Sequence, residues 1–387
     1  MKDKIIKQVE SLKEQLCEMS DYICNNPELG NCEYKSSKKL IDFLEVNGFS
    51  IETNLLNIPT AFRAVYDSGK PGPSVAYLCE YDALPEIGHG CGHNMIGTMS
   101  AGAAAALSKF TGEAGGRIVV LGTPAEETDG AKVAMAQQGV FEGIDAAMIL
   151  HPAESSYESG HSLAMDALQF EFKGKACHAA SEPEEGINAL DAAILTFNGI
   201  NALRQHVTSD VRIHGIIAEG GTAPNVVPDR AVAQFYVRAG KKKYLREVTE
   251  KVKNIAQGAA LMTGASVEIS NYQLSYDDMN TNQALSGAFT KNLLLSGEPE
   301  VFPHLSSTGS IDMGNVSNVV PAIHPYICIS GHKVIGHTRE FRDATLGDKA
   351  HKALVIGASA LALTGYDILT DKELLLQIKQ EFRKSQL

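Results

Sequence analysis

The sequence predicts an α/β protein: a mixed-sheet domain with helices on both faces, interrupted by an inserted ferredoxin-like βαββαβ domain. Three observations predict it. A chain of 387 residues exceeds what one ordinary core organises, so two domains are expected. Its first 150 residues alternate strand-like and helical patterns, the signature of a sheet covered by helices. Near residue 163 the order changes to β-α-β-β-α-β, the split order of a compact unit with its own core. The expected larger domain is 1–163 with 276–387, and the inserted domain is 164–275.

Taken in order, Ile5, Val9, Leu12, Leu16, Met19 and Ile23 recur at helical spacing and end at Asn25-Asn26-Pro27, predicting one long amino-terminal helix. A second helix is expected over 34–46, stopping at Asn47-Gly48. Strands are expected at 61–66, 74–81, 117–123 and 146–152, with an Ala-rich helix at 95–110 and another at 131–138 between them. The inserted unit begins with the strand LAMDALQFEFKG, the helix INALDAAILTFNGINALRQ and the strand VRIHGIIAE. The loop GGTAPNVVPD leads to the strand AVAQFYVRA, the helix KKKYLREVTEKVKNIAQGAALMTG and the strand ASVEIS. Two long helices close the chain, and the apolar run VIGASALALTG (355–365) reads as a buried helix because it falls short of a bilayer span.

Composition narrows the function classes. Hydrophobic residues make up 44% and charged residues 21%, as in globular proteins generally. The formal charge of −12 argues against nucleic acid or an anionic membrane as partner, since both select basic faces. The charged start MKDKIIKQVESLKEQL carries no h-region, so a cytoplasmic protein without signal peptide is expected. Seven scattered cysteines form no disulfide framework; Cys17, Cys24, Cys32, Cys79, Cys177 and Cys328 are expected as small buried hydrophobes.

Chemistry-bearing residues gather at the expected strand ends, where open α/β sheets place their sites. In GHGCGHN (88–94), glycines space His89, Cys91 and His93 so that backbone and side chains can converge on one point. Thiolate, imidazole and carboxylate together suit zinc or a similar divalent ion. Asp82 follows the strand 74–81 and could be a ligand, could orient a ligating His through its other ring nitrogen, or could simply end the strand at Pro85. Glu126 and Glu127 follow a strand and a Thr-Pro turn, although adjacent carboxylates often mark only a solvated face. His151 directly follows its strand, and His337 lies in GHTREF (336–341) with His332 and His324 nearby. Such clusters at several strand ends point to a metal site, and more than four candidate ligands favour a dinuclear one.

The motifs YDALP, HGCGHN, TPAEE, LHP, GKACHAA, GGTAPNVVPD and GHTREF, in this order, resemble the amidohydrolase/aminoacylase branch of the metallopeptidase family M20. EIGHGCGHN and GNVSNVVPAIHPY (314–326) are similar to the β-alanyl-lysine dipeptidase-like subgroup. The resemblance covers nearly the whole chain and implies that the inserted domain acts as a lid and dimerisation unit. It implies that Cys91, His93, Glu127, His151 and His337 hold two divalent ions, Zn or Mn with Co as a further candidate. Glu126 would be the general base and Asp82 a supporting residue, with His89 outside the ligand set. In the lid, His178 would stabilise the oxyanion, from its own chain or a partner's. Asn225 and Arg238, with Gly309 and Ser310, would bind substrate. The chain departs from the family at Asn94, where Asp is common, and at Ile311, where a Thr hydroxyl is lost.

The resemblance implies hydrolysis of an amide bond in a small peptide or N-acyl amino acid by a homodimer or higher homo-oligomer. An aminobenzoyl-glutamate or auxin-conjugate type of amidohydrolase would share every catalytic residue. A non-catalytic, metal-stabilised binding or regulatory protein is the alternative from another class, and the intact Glu126 counts against it because a structural site needs no free base.

Overall fold

A computed structural model describes residues 1–304 and 309–386. The chain divides into two compact units. One comprises Met1–His161 and two later stretches beginning at Met279 and Asp312; the other comprises Ser162–Asp278 and a short piece ending at Ile311.

The first unit is built on a six-stranded sheet. Its strands run in the order Ser50–Thr53, Phe62–Asp67, Arg117–Gly122, Ser74–Cys79, Ala146–Met148 and Ala322–Ile323. The first two junctions are antiparallel and the remaining three parallel, so the sheet is mixed. Every residue of the central strand Ser74–Cys79 is buried, as its unbroken apolar sequence requires of a strand covered on both faces. The helix His93–Ser108 is likewise buried along its whole length, which an all-round Ala-rich sequence permits. It packs against the long helix Asp348–Thr370, the last but one of the chain. That helix is long and apolar enough to cross a membrane by composition, yet most of its residues lie inside the core of this unit. Tyr77 ties the two layers by donating its hydroxyl to Leu361 O at 3.0 Å.

Three local expectations are corrected. The amino-terminal helix is two helices, Lys2–Ser11 and Lys13–Asn25, joined at Leu12; Leu12 keeps a helical φ of −94°, so the apolar spacing continues across the joint. The expected strand 146–152 is two strands in different sheets: Ala146–Met148 joins the main sheet, while His151–Ala153 pairs in parallel with Tyr326–Cys328. Cys32 is exposed, whereas Cys24 and Cys79 are buried and Cys17, Cys177 and Cys328 are intermediate.

The second unit is a four-stranded antiparallel sheet, in the order Ser266–Asn271, Ala164–Lys173, Arg230–Ala239, Arg212–Glu219. With helices Ala189–Leu203 and Lys242–Thr263, this is the ferredoxin-like βαββαβ arrangement. It has its own core, in which Phe170, Phe172 and Phe235 meet the apolar stripes of both helices. Asn188 caps the first helix by accepting from Leu190 N and Asp191 N, a bond that satisfies otherwise orphaned donors. The strand Arg212–Glu219 is an outer strand and is exposed at seven of its eight positions.

Candidate metal centre

Three neighbouring parallel strands, Arg117–Gly122, Ser74–Cys79 and Ala146–Met148, end at the same edge of the sheet. Beyond those ends lie Glu126 and Glu127, Asp82, and His151 respectively. Cys91 and His93 reach the same place because the turn before the helix His93–Ser108 comes very close to the strand carrying His151. Gly92 has φ 79°, and a Cβ there would lie 2.3 Å from Pro152 Cγ, so only glycine fits. Two further turns hold non-glycine residues in the left-handed region: Ala125 at φ 62° and His337 at φ 63°. Such conformations persist where surrounding contacts enforce them. Ala125 N donates to Glu33 Oε1 at 2.9 Å, and His337 N donates to Gly90 O at 2.9 Å.

The resulting geometry contains three overlapping groups whose donor atoms lie within 4.8 Å of one another: Cys91, His93 and His151; Cys91, Glu127 and His337; and His93, Glu126 and Glu127. Cys91 belongs to the first two, with its Sγ 3.5 Å from His151 Nε2 and 3.6 Å from His337 Nε2. One sulfur is thus common to two three-donor groups, a set of donors that suits two ions. Two buried donor atoms, His93 Nε2 and Glu127 Oε1, have no hydrogen-bond partner, although His337 Nε2 makes an ion-pair approach of 3.3 Å to Glu127 Oε1. Buried polar atoms are normally satisfied. Open lone pairs on nitrogen, sulfur and carboxylate oxygen are what a divalent ion requires, so the residues fit the group.

The supporting contacts fix which atoms face the centre. Asp82 is buried and accepts from His93 Nδ1 at 2.9 Å and from Glu127 N at 3.0 Å. One carboxylate thus orients a ligating imidazole and pins the Glu126-Glu127 turn. His151 Nδ1 is bonded to Pro152 O at 2.7 Å, which leaves Nε2 as its lone-pair atom. His89 is buried with both ring nitrogens unpartnered, and it belongs to none of the three donor groups.

Electrostatics separates the two glutamates. Burial pushes the Glu126 carboxyl well above its usual range, and the charges of Glu80, Asp312 and Glu127 push it further. Burial opposes the charge of Glu127 too, but the His337 ring 3.3 Å away and the His93 charge hold it below the usual range. Burial also works against ionisation of the Cys91 thiol, yet His151, His337 and His93 bring it down to about 6. Glu127 thereby favours its anion, which suits a cation, while Glu126 is a carboxylate with high proton affinity. Glu126 Oε also falls within the third donor group; the two groups sharing Cys91 are complete without it.

Sequence reasoning missed the layer beneath this centre. Lys132, fully buried, pairs with Glu80 and Asp312, and Glu33 also accepts from Thr60 Oγ1 at 2.8 Å. The available signal was a lone lysine in the otherwise apolar helix Ala131–Gln137, since a buried lysine demands a carboxylate partner.

The second unit carries the remaining candidates. His178 is exposed, and its Nδ1 accepts from Ala180 N at 3.2 Å and Ser181 N at 3.1 Å. Asn225 adjoins it through Ala179 N, which donates to Asn225 O at 3.0 Å. Arg238 donates from Nη1 to Ser310 Oγ at 3.0 Å and lies over the Tyr236 ring. Its Nε is buried without a partner, and Gly309 O accepts from Leu163 N at 2.8 Å.

Known proteins share this architecture. A sequence model described as a peptidase dimerisation domain matches residues 165–261. The chain is 35% identical over 399 residues to the Xaa-Arg dipeptidase of Mus musculus, spanning 99% of this chain and 92% of that protein. It is 30% identical over 455 residues to one of the two p-aminobenzoyl-glutamate hydrolase polypeptides of Escherichia coli, spanning 97% and 93%. Among solved structures, the aminobenzoyl-glutamate utilization protein of Klebsiella pneumoniae aligns with a TM-score of 0.73 at 21% identity, covering 93% of this chain and 98% of that one. A Bacillus subtilis protein described as a dinuclear metal binding peptidase from the M20 family aligns with a TM-score of 0.71 at 22% identity, covering 93% and 99%.

Proposed function

We infer, from the premise that the chain belongs to the M20 family of metallopeptidases, that it hydrolyses the amide bond of dipeptides, with Glu126 as general base. The observation that carries this reading is the pair of ligand groups sharing Cys91 beside a carboxylate whose proton affinity burial and neighbouring charges raise. Relatives described as a dipeptidase and as an aminobenzoyl-glutamate hydrolase support an enzyme rather than a binding protein. Cys91, His93, Glu127, His151 and His337 would hold two divalent ions, zinc or manganese, with cobalt compatible with the same donors.

Divalent ions in such a site supply Lewis acidity and lower the pKa of water. The chain's own residues do the rest. Glu126 accepts the proton of the attacking water and delivers it to the leaving amine, the exchange a carboxylate with raised proton affinity performs near neutral pH. Asp82 keeps the His93 ring in one orientation and, through Glu127 N, keeps Glu126 in register with it. With His178 Nδ1 accepting two backbone N–H groups, the ring proton of the neutral imidazole sits on Nε2. That exposed donor suits a developing oxyanion. Arg238 Nε is buried without a hydrogen-bond partner, which supports a substrate carboxylate as its counter-ion, with Asn225, Ser310 and Gly309 as further polar groups in the same role.

Glu126→Gln should retain the metal content of the wild type and lose about 10²–10⁴ in kcat; a variant keeping most of its turnover would remove Glu126 as base. A panel of dipeptides, N-acyl amino acids and p-aminobenzoyl-glutamate, assayed with zinc, manganese and cobalt, decides the substrate class. Turnover confined to p-aminobenzoyl-glutamate would favour the second reading, which the Escherichia coli relative supports. His178→Ala should lower kcat without changing metal binding. Mixing it with Glu126→Gln should restore activity if His178 serves a partner chain, and should restore none if it serves its own.

A further inference from the structure

The ion network under the centre is unbalanced in a way that a purely structural pair would not be. Lys132 Nζ lies 2.7 Å from Glu80 Oε1 and 2.7 Å from Asp312 Oδ1. All three side chains are at most 2% exposed. One ammonium therefore serves two carboxylates, so the Lys132 contacts alone leave that buried pair one positive charge short, and an uncompensated interior charge is costly. The surplus has a direction. Glu80 Oε2, the oxygen not taken by Lys132, lies 3.5 Å from His93 Nε2. That nitrogen is the one left open once His93 Nδ1 has met Asp82. Glu80 joins none of the donor groups around Cys91 and His151, so it stands beside the ligand set rather than in it.

We propose that Glu80 is a positioning residue that places negative charge beside the cation held through His93, and that Lys132, pinned between Glu80 and Asp312, fixes where that charge points. The inference rests on the reading of His93 as a ligand. It makes the affinity of one of the two ions depend on a carboxylate that does not bind it.

The test is Glu80→Gln in the full-length protein, read by metal analysis and by competition titration of zinc and manganese against a chromophoric chelator. The amide oxygen can still accept from Lys132, while Lys132 and Asp312 become a balanced pair. The metal-free variant should therefore melt at or above the temperature of the metal-free wild type. Its affinity for one ion should nevertheless fall by about 10–100-fold, the range found when the outer partners of metal ligands are altered. Stability and affinity moving in opposite directions is an outcome that a merely structural role does not produce. Asp312→Asn, which leaves Glu80 and Lys132 paired, should keep wild-type affinity. Should Glu80→Gln fold poorly, Glu80→Asp tests the affinity alone, since it keeps the charge but withdraws it by one methylene. Wild-type affinity in both Glu80 variants overturns the proposal, as does an equal loss in Asp312→Asn. A wild-type protein that binds no divalent ion would instead overturn the reading of the centre itself.

Discussion

A free cysteine titrates near 8.5, and at pH 7 most of it is a thiol that a metal must deprotonate. Cys91 differs because three imidazoles surround its sulfur. Burial raises its pKa, and His151, His337 and His93 more than reverse that, down to about 6. Metal ligands bind in their deprotonated forms, so binding releases protons and weakens as they protonate. The same contacts hold protons on the rings: Cys91 and Glu127 raise His337 to about 10, and although burial opposes it, Asp82 and Cys91 raise His93. An ion must displace those ring protons, so zinc affinity, measured by titration from pH 10 to pH 6, should fall as pH falls. An affinity that stays flat from pH 8 to pH 6 would show that the rings carry no proton for the ion to displace. At this scale the candidates easiest to read from sequence are those beside glycines, prolines and strand ends, because those features disclose where a side chain points. Glu80 does follow a strand end, but that position does not separate a residue beside the candidate ligands from one among them, and Lys132 and Glu33 lie beside no such feature. Their roles depend on partners far along the chain, such as Asp312 for Lys132 and Ala125 for Glu33, and separation in sequence hides the pairing.

Between residue and molecule, element boundaries follow hydrogen bonding, while apolar periodicity reports only burial. The spacing Ile5 to Ile23 is continuous, yet the backbone changes at Leu12, because a joint that stays in the helical region leaves the buried stripe in phase. The run 146–152 is apolar up to His151 and reads as one strand, yet it serves two sheets, since periodicity does not name a strand's partner. The inserted unit is more legible because its strands are long and its helices amphipathic. Its outer strand Arg212–Glu219 also carries a testable consequence. Ile216 is 61% exposed, Ile217 40%, and Ile194 on the helix Ala189–Leu203 43%, so apolar side chains adjoin an unpaired edge. Such edges invite pairing with another chain, and the matched dimerisation domain spans this segment. We propose that the contact of a two-fold dimer lies here. Ile216→Glu should move the protein from twice the chain mass to the chain mass in light scattering, with metal content unchanged. A variant that remains dimeric would place the contact elsewhere.

For the whole molecule, the decisive quantity is the charge gathered in the first unit. Glu80, Asp82, Glu126, Glu127, Asp312 and the Cys91 thiolate converge there, and Lys132 is the lysine paired within that set. The composition showed a net charge of −12 but not its concentration, which only the fold creates by bringing three strand ends together. A cluster of this kind repels itself, and cations that bind the folded state alone stabilise it by mass action. With each ion at about 1,000 times its Kd, the gain is about 4 kcal/mol per site. In a unit of this size each kcal/mol moves Tm by roughly 2–4 °C. Chelation should therefore lower the calorimetric Tm by on the order of 10 °C per tightly bound ion, and zinc or manganese should restore it. The second unit has its own core and holds none of the ligand candidates, so a transition belonging to it should not shift with metal. A Tm indifferent to chelator would mean that protons taken up by the converging acids, rather than ions, relieve their repulsion. In that case acidification from pH 8 to pH 6 should stabilise the chelated protein, because groups whose folded-state pKa is raised above the unfolded value lose their unfavourable charge as pH falls.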